Sequence, residues 1–395
     1  MARADDATLK ALYDNHRWFE LRELISKQKA PIFYQGVVAC AFNDLRRCEK
    51  ILARVWRAAP TSEESMEARR TLASAYFTHG KYRRALAEVD AILKIKPADS
   101  DAVSGRPVLG VLAEYPDQEI ARRHVTVKLH DGGLPFSING VQATYWFDTG
   151  AELSVMTESE ASRFGLKSHP TALSVGDVNG TQVSTRIVVA DELSIGTVHL
   201  RHVAFLVLPD EQPPFNQQSP GSRGLIGLPV LLALENIKWG ADDTFEIGGA
   251  SIGTPSERSS AHSVDHAGMC FDGNHPVVQL DHAGRTLDFA LDTGASNTDL
   301  YPPFTEAFPE LIRGAAKTDS YKMEGVGGAK YMDAATLESV EFKIGGFPVT
   351  LKPAGVLLKP TTNASKFFAG NLGIDLLQQA HKTTFDFRKM ILVLQ

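Results

Sequence analysis

The chain has 395 residues, 43% of them hydrophobic, and its 41 Lys and Arg against 47 Asp and Glu give a formal net charge of −6. That length supports two or three domains with cores of their own, and the composition excludes gross disorder. There is no long block of one charge sign, and the most apolar stretch, Gly224 to Leu234, is too short to cross a bilayer, so neither a nucleic-acid partner nor a membrane span is expected.

Residues 1 to about 100 carry a helical period with few strand signals. Between Ala68 and Pro97, the residues Leu72, Ala73, Tyr76, Gly80, Tyr82, Ala85 and Pro97 are spaced in a way that resembles a tetratricopeptide (TPR-like) repeat. Gly36, Ala39, Asn43, Cys48, Leu52 and Pro60 keep the scheme more loosely, and a third unit around His16-Arg17-Trp18-Phe19-Glu20-Leu21 is degenerate. The resemblance implies a helical repeat domain over residues 1–105, able to offer a protein partner a concave face; a helical cap on the rest of the chain is the alternative. The chain's three cysteines are too few for a disulfide framework, and Cys40 and Cys48 read as buried packing residues. Met1-Ala-Arg-Ala-Asp-Asp shows no signal peptide and suits either a cytoplasmic chain or an exported one whose leader has been removed.

Residues 96–118 are Pro-, Asp- and Gly-bearing and read as a connector. After them the period changes to two. Leu134-Pro-Phe-Ser-Ile138 and Val141 to Phe147 flank Asn139-Gly140, a strong hairpin signal, and short strands follow to the C-terminus. This region is doubled. Ala143 to Met156 contains Asp148-Thr149-Gly150, and Arg285 to Tyr301 contains Asp292-Thr293-Gly294. Each is followed in the same order by a Gly-bearing hairpin, a strand pair, a hydrophobic segment ending in Gly and a terminal strand. The expected division is a first lobe over residues 119–250 and a second over residues 264–395, joined by the Ser/Gly/Pro-rich Gly248 to His262.

One Asp-Thr-Gly is weak evidence, because Asp and Gly favour turns. Two copies, each at the end of a hydrophobic strand, imply a designed pair. Two carboxyls within hydrogen-bonding distance cannot both ionise cheaply, so they share one proton and supply a base and an acid together. Thr149 and Thr293 can then bond across a two-fold axis and hold the turns in place.

On these motifs, with Leu225-Ile226-Gly227 and the weaker Asn371-Leu372-Gly373 downstream, residues 120–395 resemble the retropepsin-like aspartic proteases with both halves fused in one chain. The resemblance implies a two-lobed, pseudo-two-fold β acid-protease fold after an α-helical domain. It also implies an endopeptidase in which Asp148 and Asp292 activate water, supported by Thr149, Gly150, Thr293 and Gly294. The flaps over an extended polypeptide substrate would be Gly176-Asp177-Val178-Asn179-Gly180 and Gly325-Val326-Gly327-Gly328. No metal or organic cofactor is expected, since water is the nucleophile. Ala151 and Ala295 stand where a hydroxyl would otherwise donate to the carboxylate, which predicts a pH optimum less acidic than that of pepsin-like enzymes.

Glu152, where the second half has Ser296, reads as a substrate-end contact or a solvated charge. Trp146 reads as core. His262, His266 and Cys270 have a helical ligand spacing, but Gly268 and the linker composition argue against a helix and no metal is assigned. The rival from another class is a catalytically idle peptide-binding module using the same β body and helical face.

Overall fold

A computed structural model describes residues 4–121, 124–176, 182–249, 265–325 and 328–395. The chain divides into two compact units. One is Met1–Gln118 with Thr171–Leu173 and Cys270–His275; the other is Glu119–Pro170, Ser174–Met269 and Pro276–Gln395.

The first unit is built from α1 (Asp6–Asp14), α2 (Trp18–Lys27), α3 (Ile32–Ala41), α4 (Leu45–Ala58), α5 (Glu63–Thr78), α6 (Tyr82–Ile95) and α7 (Ser100–Leu112). Side chains cap four of these helices. Asp5, Asp44, Ser62 and Asp99 accept from the amides of Thr8, Arg47, Ser65 and Ala102, satisfying first-turn donors that have no partner inside the helix. Asn43 and Gly80 occupy the same place in the two better repeats, and both turn the chain with positive φ, 62° and 65°. Leu52, Leu72 and Ala85 are fully buried between the helices. Cys40 and Cys48, expected to be packing thiols, are bonded to each other across α3 and α4, which the turn at Asn43 brings together.

The stretch read as a connector, residues 96–118, is largely helix. The Asp99 cap and the burial of Ala102, Val108, Leu109 and Leu112 outweigh the backbone cost of Pro107, Gly105 and Gly110.

The second unit is all-β with short helices, and its two halves repeat one strand figure. In the first half Val141–Phe147 runs parallel to Gly224–Ile226, which is antiparallel to Ser154–Thr157, itself parallel to Val198–Leu208. In the second, Arg285–Leu291 runs parallel to Gly370–Leu372, which is antiparallel to Asp299–Leu300, itself parallel to Ala354–Leu357. Both halves also feed one sheet, in the order Val125–Lys128, Thr244–Ile247, Asn236–Gly240, Lys382–Asp386, Ile391–Leu394, Ala267–Asp272. Its middle pair is antiparallel, with Lys238 opposite Thr384, so the halves join through backbone hydrogen bonds. Cys270 lies in the last of these strands rather than on a helix, and His262 falls outside the described residues, as does most of the linker from Gly248 to His262.

Alternation along Val141–Phe147 buries Tyr145 and Phe147 and leaves Trp146 39% exposed. Trp146 is therefore not core: a strand with one solvated face places neighbours on opposite sides, and the two flanking aromatics take the inner one.

Candidate active site

Each Asp-Thr-Gly begins where a hydrophobic strand ends. The Asp148 amide donates to the Ile226 carbonyl at 2.8 Å, and the Asp292 amide donates to the Leu372 carbonyl at 3.0 Å. Each turn is thus tied to the hydrophobic-Gly segment of its own half. Below those segments, Ser154 Oγ and Thr298 Oγ1 accept from the Gly227 and Gly373 amides, both at 3.0 Å. Neither hydroxyl was singled out in the sequence, although each follows its triplet at the same interval.

The two turns are locked to each other by reciprocal bonds. The Thr149 amide donates to Thr293 Oγ1 and the Thr293 amide to Thr149 Oγ1, both at 3.0 Å. The hydroxyls donate onward, Thr149 Oγ1 to the Leu291 carbonyl at 2.8 Å and Thr293 Oγ1 to the Phe147 carbonyl at 3.0 Å. Both threonines are buried, and each hydroxyl accepts once and donates once.

This lock sets the carboxyls beside the opposite turn. A Cβ built on Gly150 would lie 2.8 Å from Asp292 Cγ, and one on Gly294 would lie 2.4 Å from Asp148 Oδ2. Glycine is required at both places because the facing carboxyl fills the space a side chain would need. Asp148 and Asp292 are half-buried, each with its carboxyl against the glycine of the other's turn. Asp148 Oδ1 accepts from the Gly150 amide at 2.8 Å, and Asp292 Oδ1 from the Gly294 and Ala295 amides at 3.0 and 3.1 Å. Desolvation, reinforced by the negative charge of Asp292, pushes Asp148 up to about 7 against the lowering pull of the Gly150 amide. Such a pair holds one proton between two oxygens and can give and take a proton around a single solvent molecule.

Residues 134–230 match the sequence profile of the family described as Aspartyl protease. Over those residues the first β half is similar to the aspartyl proteases. The match spans the turn at Asp148 and the segment Leu225-Ile226-Gly227, the elements that the geometry ties together. A solved structure of a retropepsin-like aspartic protease from Rickettsia conorii is 18% identical, covering 34% of this chain and 95% of that chain with a TM-score of 0.23. No curated protein matches the chain.

At the two locked Asp-Thr-Gly turns, the expected site residues Asp148, Thr149, Gly150, Asp292, Thr293 and Gly294 come together. Of the expected flap residues, only Gly176, Gly325 and Gly328 are among the described residues. Gly176 ends a strand paired with Gln182–Ile195, and Gly325 and Gly328 close the pairing of Ala316–Gly325 with Gly328–Leu337; Asp177, Val178, Asn179, Gly180, Val326 and Gly327 lie outside the described residues. Glu152 is exposed.

One contact was not anticipated. Asn371 Nδ2 donates to Asp292 Oδ2 at 3.0 Å. In the sequence Asn371 only looked like a weak match to Leu225; the strand register, which pairs Ala290 with Asn371 as it pairs Trp146 with Leu225, puts it at the carboxyl.

Proposed function

We propose that the chain is an aspartic endopeptidase in which Asp148 and Asp292 together activate one water against a peptide carbonyl. The observation that carries this reading is the reciprocal Thr149–Thr293 lock, which holds each carboxyl against the opposite turn with a backbone amide of its own turn donating to it. Preorganisation of that kind suits proton transfer. Water is the nucleophile, so no acyl-enzyme forms.

In this reading an extended polypeptide binds beside the dyad, with backbone groups of the two flap hairpins pairing with it. Alternate side chains of the substrate then fill pockets. The helical hairpins of the first unit are proposed as a docking or scaffold element for a protein partner, in keeping with their stacked antiparallel build.

The test is cleavage of a denatured protein and a peptide library by wild type, Asp148→Asn and Asp292→Asn, read by mass spectrometry. Cleavage by wild type and a fall of about 10³-fold or more in both variants is the expected result, since neither half of the acid-base pair can be replaced by an amide. Equal turnover in all three would overturn the reading and leave a peptide-binding module.

A further inference from the structure

The two halves match closely at the turns but not at the carboxyls. Each aspartate receives amide bonds from its own turn, Asp148 from Gly150 and Asp292 from Gly294 and Ala295, and Asp292 has one donor more from outside its turn. The Asn371 amide reaches Asp292 Oδ2, whereas the corresponding residue of the first half, Leu225, has no donor to offer Asp148. An N–H donor stabilises a carboxylate more than a carboxylic acid, by an amount typical of charge-assisted bonds.

Resting on the endopeptidase reading, we propose that Asn371 is a positioning residue that fixes the charge of the pair on Asp292 and so leaves the proton on Asp148. Asp292 is then the base and Asp148 the acid. Asp292 takes a proton from water as the water oxygen bonds to the peptide carbonyl carbon, and Asp148 passes its proton to the carbonyl oxygen. As the C–N bond breaks, the proton on Asp292 goes to the leaving nitrogen and one hydroxyl proton of the tetrahedral species returns to Asp148. The sum is one water consumed and one acid and one amine released.

The upward displacement of Asp148 agrees with this division. Other ionisable groups on the surrounding elements are engaged elsewhere. On Arg285–Leu291, Arg285 donates to the Ala307 carbonyl and Asp288 accepts from Gln279. Asp299, opposite Asn371 on the other edge, accepts from Tyr321 Oη at 2.5 Å, and Asp375 accepts from the amide and hydroxyl of Thr298. Tyr301 follows Asp299 and is held neutral by burial. Glu152 is exposed in the first turn.

The test is a carbon-13 NMR titration of the aspartate carboxyls, with resonances assigned by Asp148→Asn and Asp292→Asn, alongside the pH profile of kcat/KM. The variants are Asn371→Leu, which copies the first half, and Asn371→Gln, which keeps the donor. Asn371→Leu should raise the lower titration of the pair by about one pH unit and move the acidic limb of the profile upward by the same amount. Asn371→Gln should recover most of both shifts. An unmoved titration in a folded Asn371→Leu protein, or equal shifts in both variants, overturns the assignment. The titration reads the carboxyls whether or not peptide is cut, so failure here is separable from loss of the endopeptidase reading, which shows as absent cleavage by wild type.

Discussion

Thr149 and Thr293 each donate an amide to the other's hydroxyl at 3.0 Å, and each hydroxyl then donates to the carbonyl that precedes the other's aspartate. The four bonds form a closed set in a buried place. Replacing either threonine by valine keeps the volume and leaves a buried amide and a buried carbonyl unpaired. A loss of about 2–4 kcal/mol is expected from each variant, near the sum of two lost partners. Each single removes a different two of the four bonds, but the double variant should lose less than the two singles together, because breaking one pair already loosens the contact that the other pair spans. Denaturant unfolding of the four proteins in the cycle measures this, and additive losses would contradict a shared lock.

Gly150 and Gly294 separate activity from stability. The atoms that an added Cβ would meet are the carboxyl ends of Asp292 and Asp148, 2.8 and 2.4 Å away, and those ends can swing aside. Gly150→Ala and Gly294→Ala should therefore fold while displacing the opposite carboxyl. A fall of about 10²-fold in kcat/KM is expected from a misplacement near 1 Å. Circular dichroism and peptide turnover check the pair; full activity with alanine at both places would show that the carboxyls do not need this spacing.

The doubled order of elements in the sequence corresponds to two copies of one strand figure, because repeated spacing of strands and turns constrains pairing. The residues at Asp148 and Asp292 were legible for the same reason. Asn371 was not, since its effect depends on which strand lies beside Gly370–Leu372 and in what register, and no local pattern carries that information. Helix α7 was masked by Pro107 and two glycines, whose local preference yields to a cap and a buried face. Trp146 was misplaced because hydrophobicity alone does not say which side of a strand a residue takes.

The raised pKa of Asp148 has a stability consequence with a definite sign. Its folded value near 7 lies above the ordinary 3.8, so between these values the folded protein holds more proton than the unfolded chain. This contribution is complete below about pH 4 and is lost as pH rises toward and through 7. Melting temperatures across that window should fall more steeply for wild type than for Asp148→Asn, which has no proton to lose there. Parallel curves would place the Asp148 carboxyl in an ordinary solvated setting. The same displacement predicts that cleavage persists toward neutral pH, with an optimum well above that of pepsin-like enzymes, because the acid partner stays protonated up to its raised value.

Glu160 holds the first half together behind the turn. Its carboxylate is 1% exposed and accepts from Tyr145 Oη at 3.0 Å, from the Gly221 amide at 2.6 Å and from Arg163 Nη2 at 2.7 Å. Tyr145 lies on the strand that delivers Asp148, so the carboxylate links the outer loop at Gly221 to that strand. Glu160→Ala removes a buried charge and strands a buried phenol and an amide, while the Arg163 guanidinium keeps only its bond to the Gln142 carbonyl. The expected loss is about 3–5 kcal/mol, as for other broken buried pairs. Glu160→Gln keeps an acceptor for Tyr145 or Gly221 and should lose less, because only the charge-assisted part of the set disappears. Denaturant unfolding of both variants decides the point: if Glu160→Ala unfolds at the wild-type midpoint, the carboxylate does not tie these elements together.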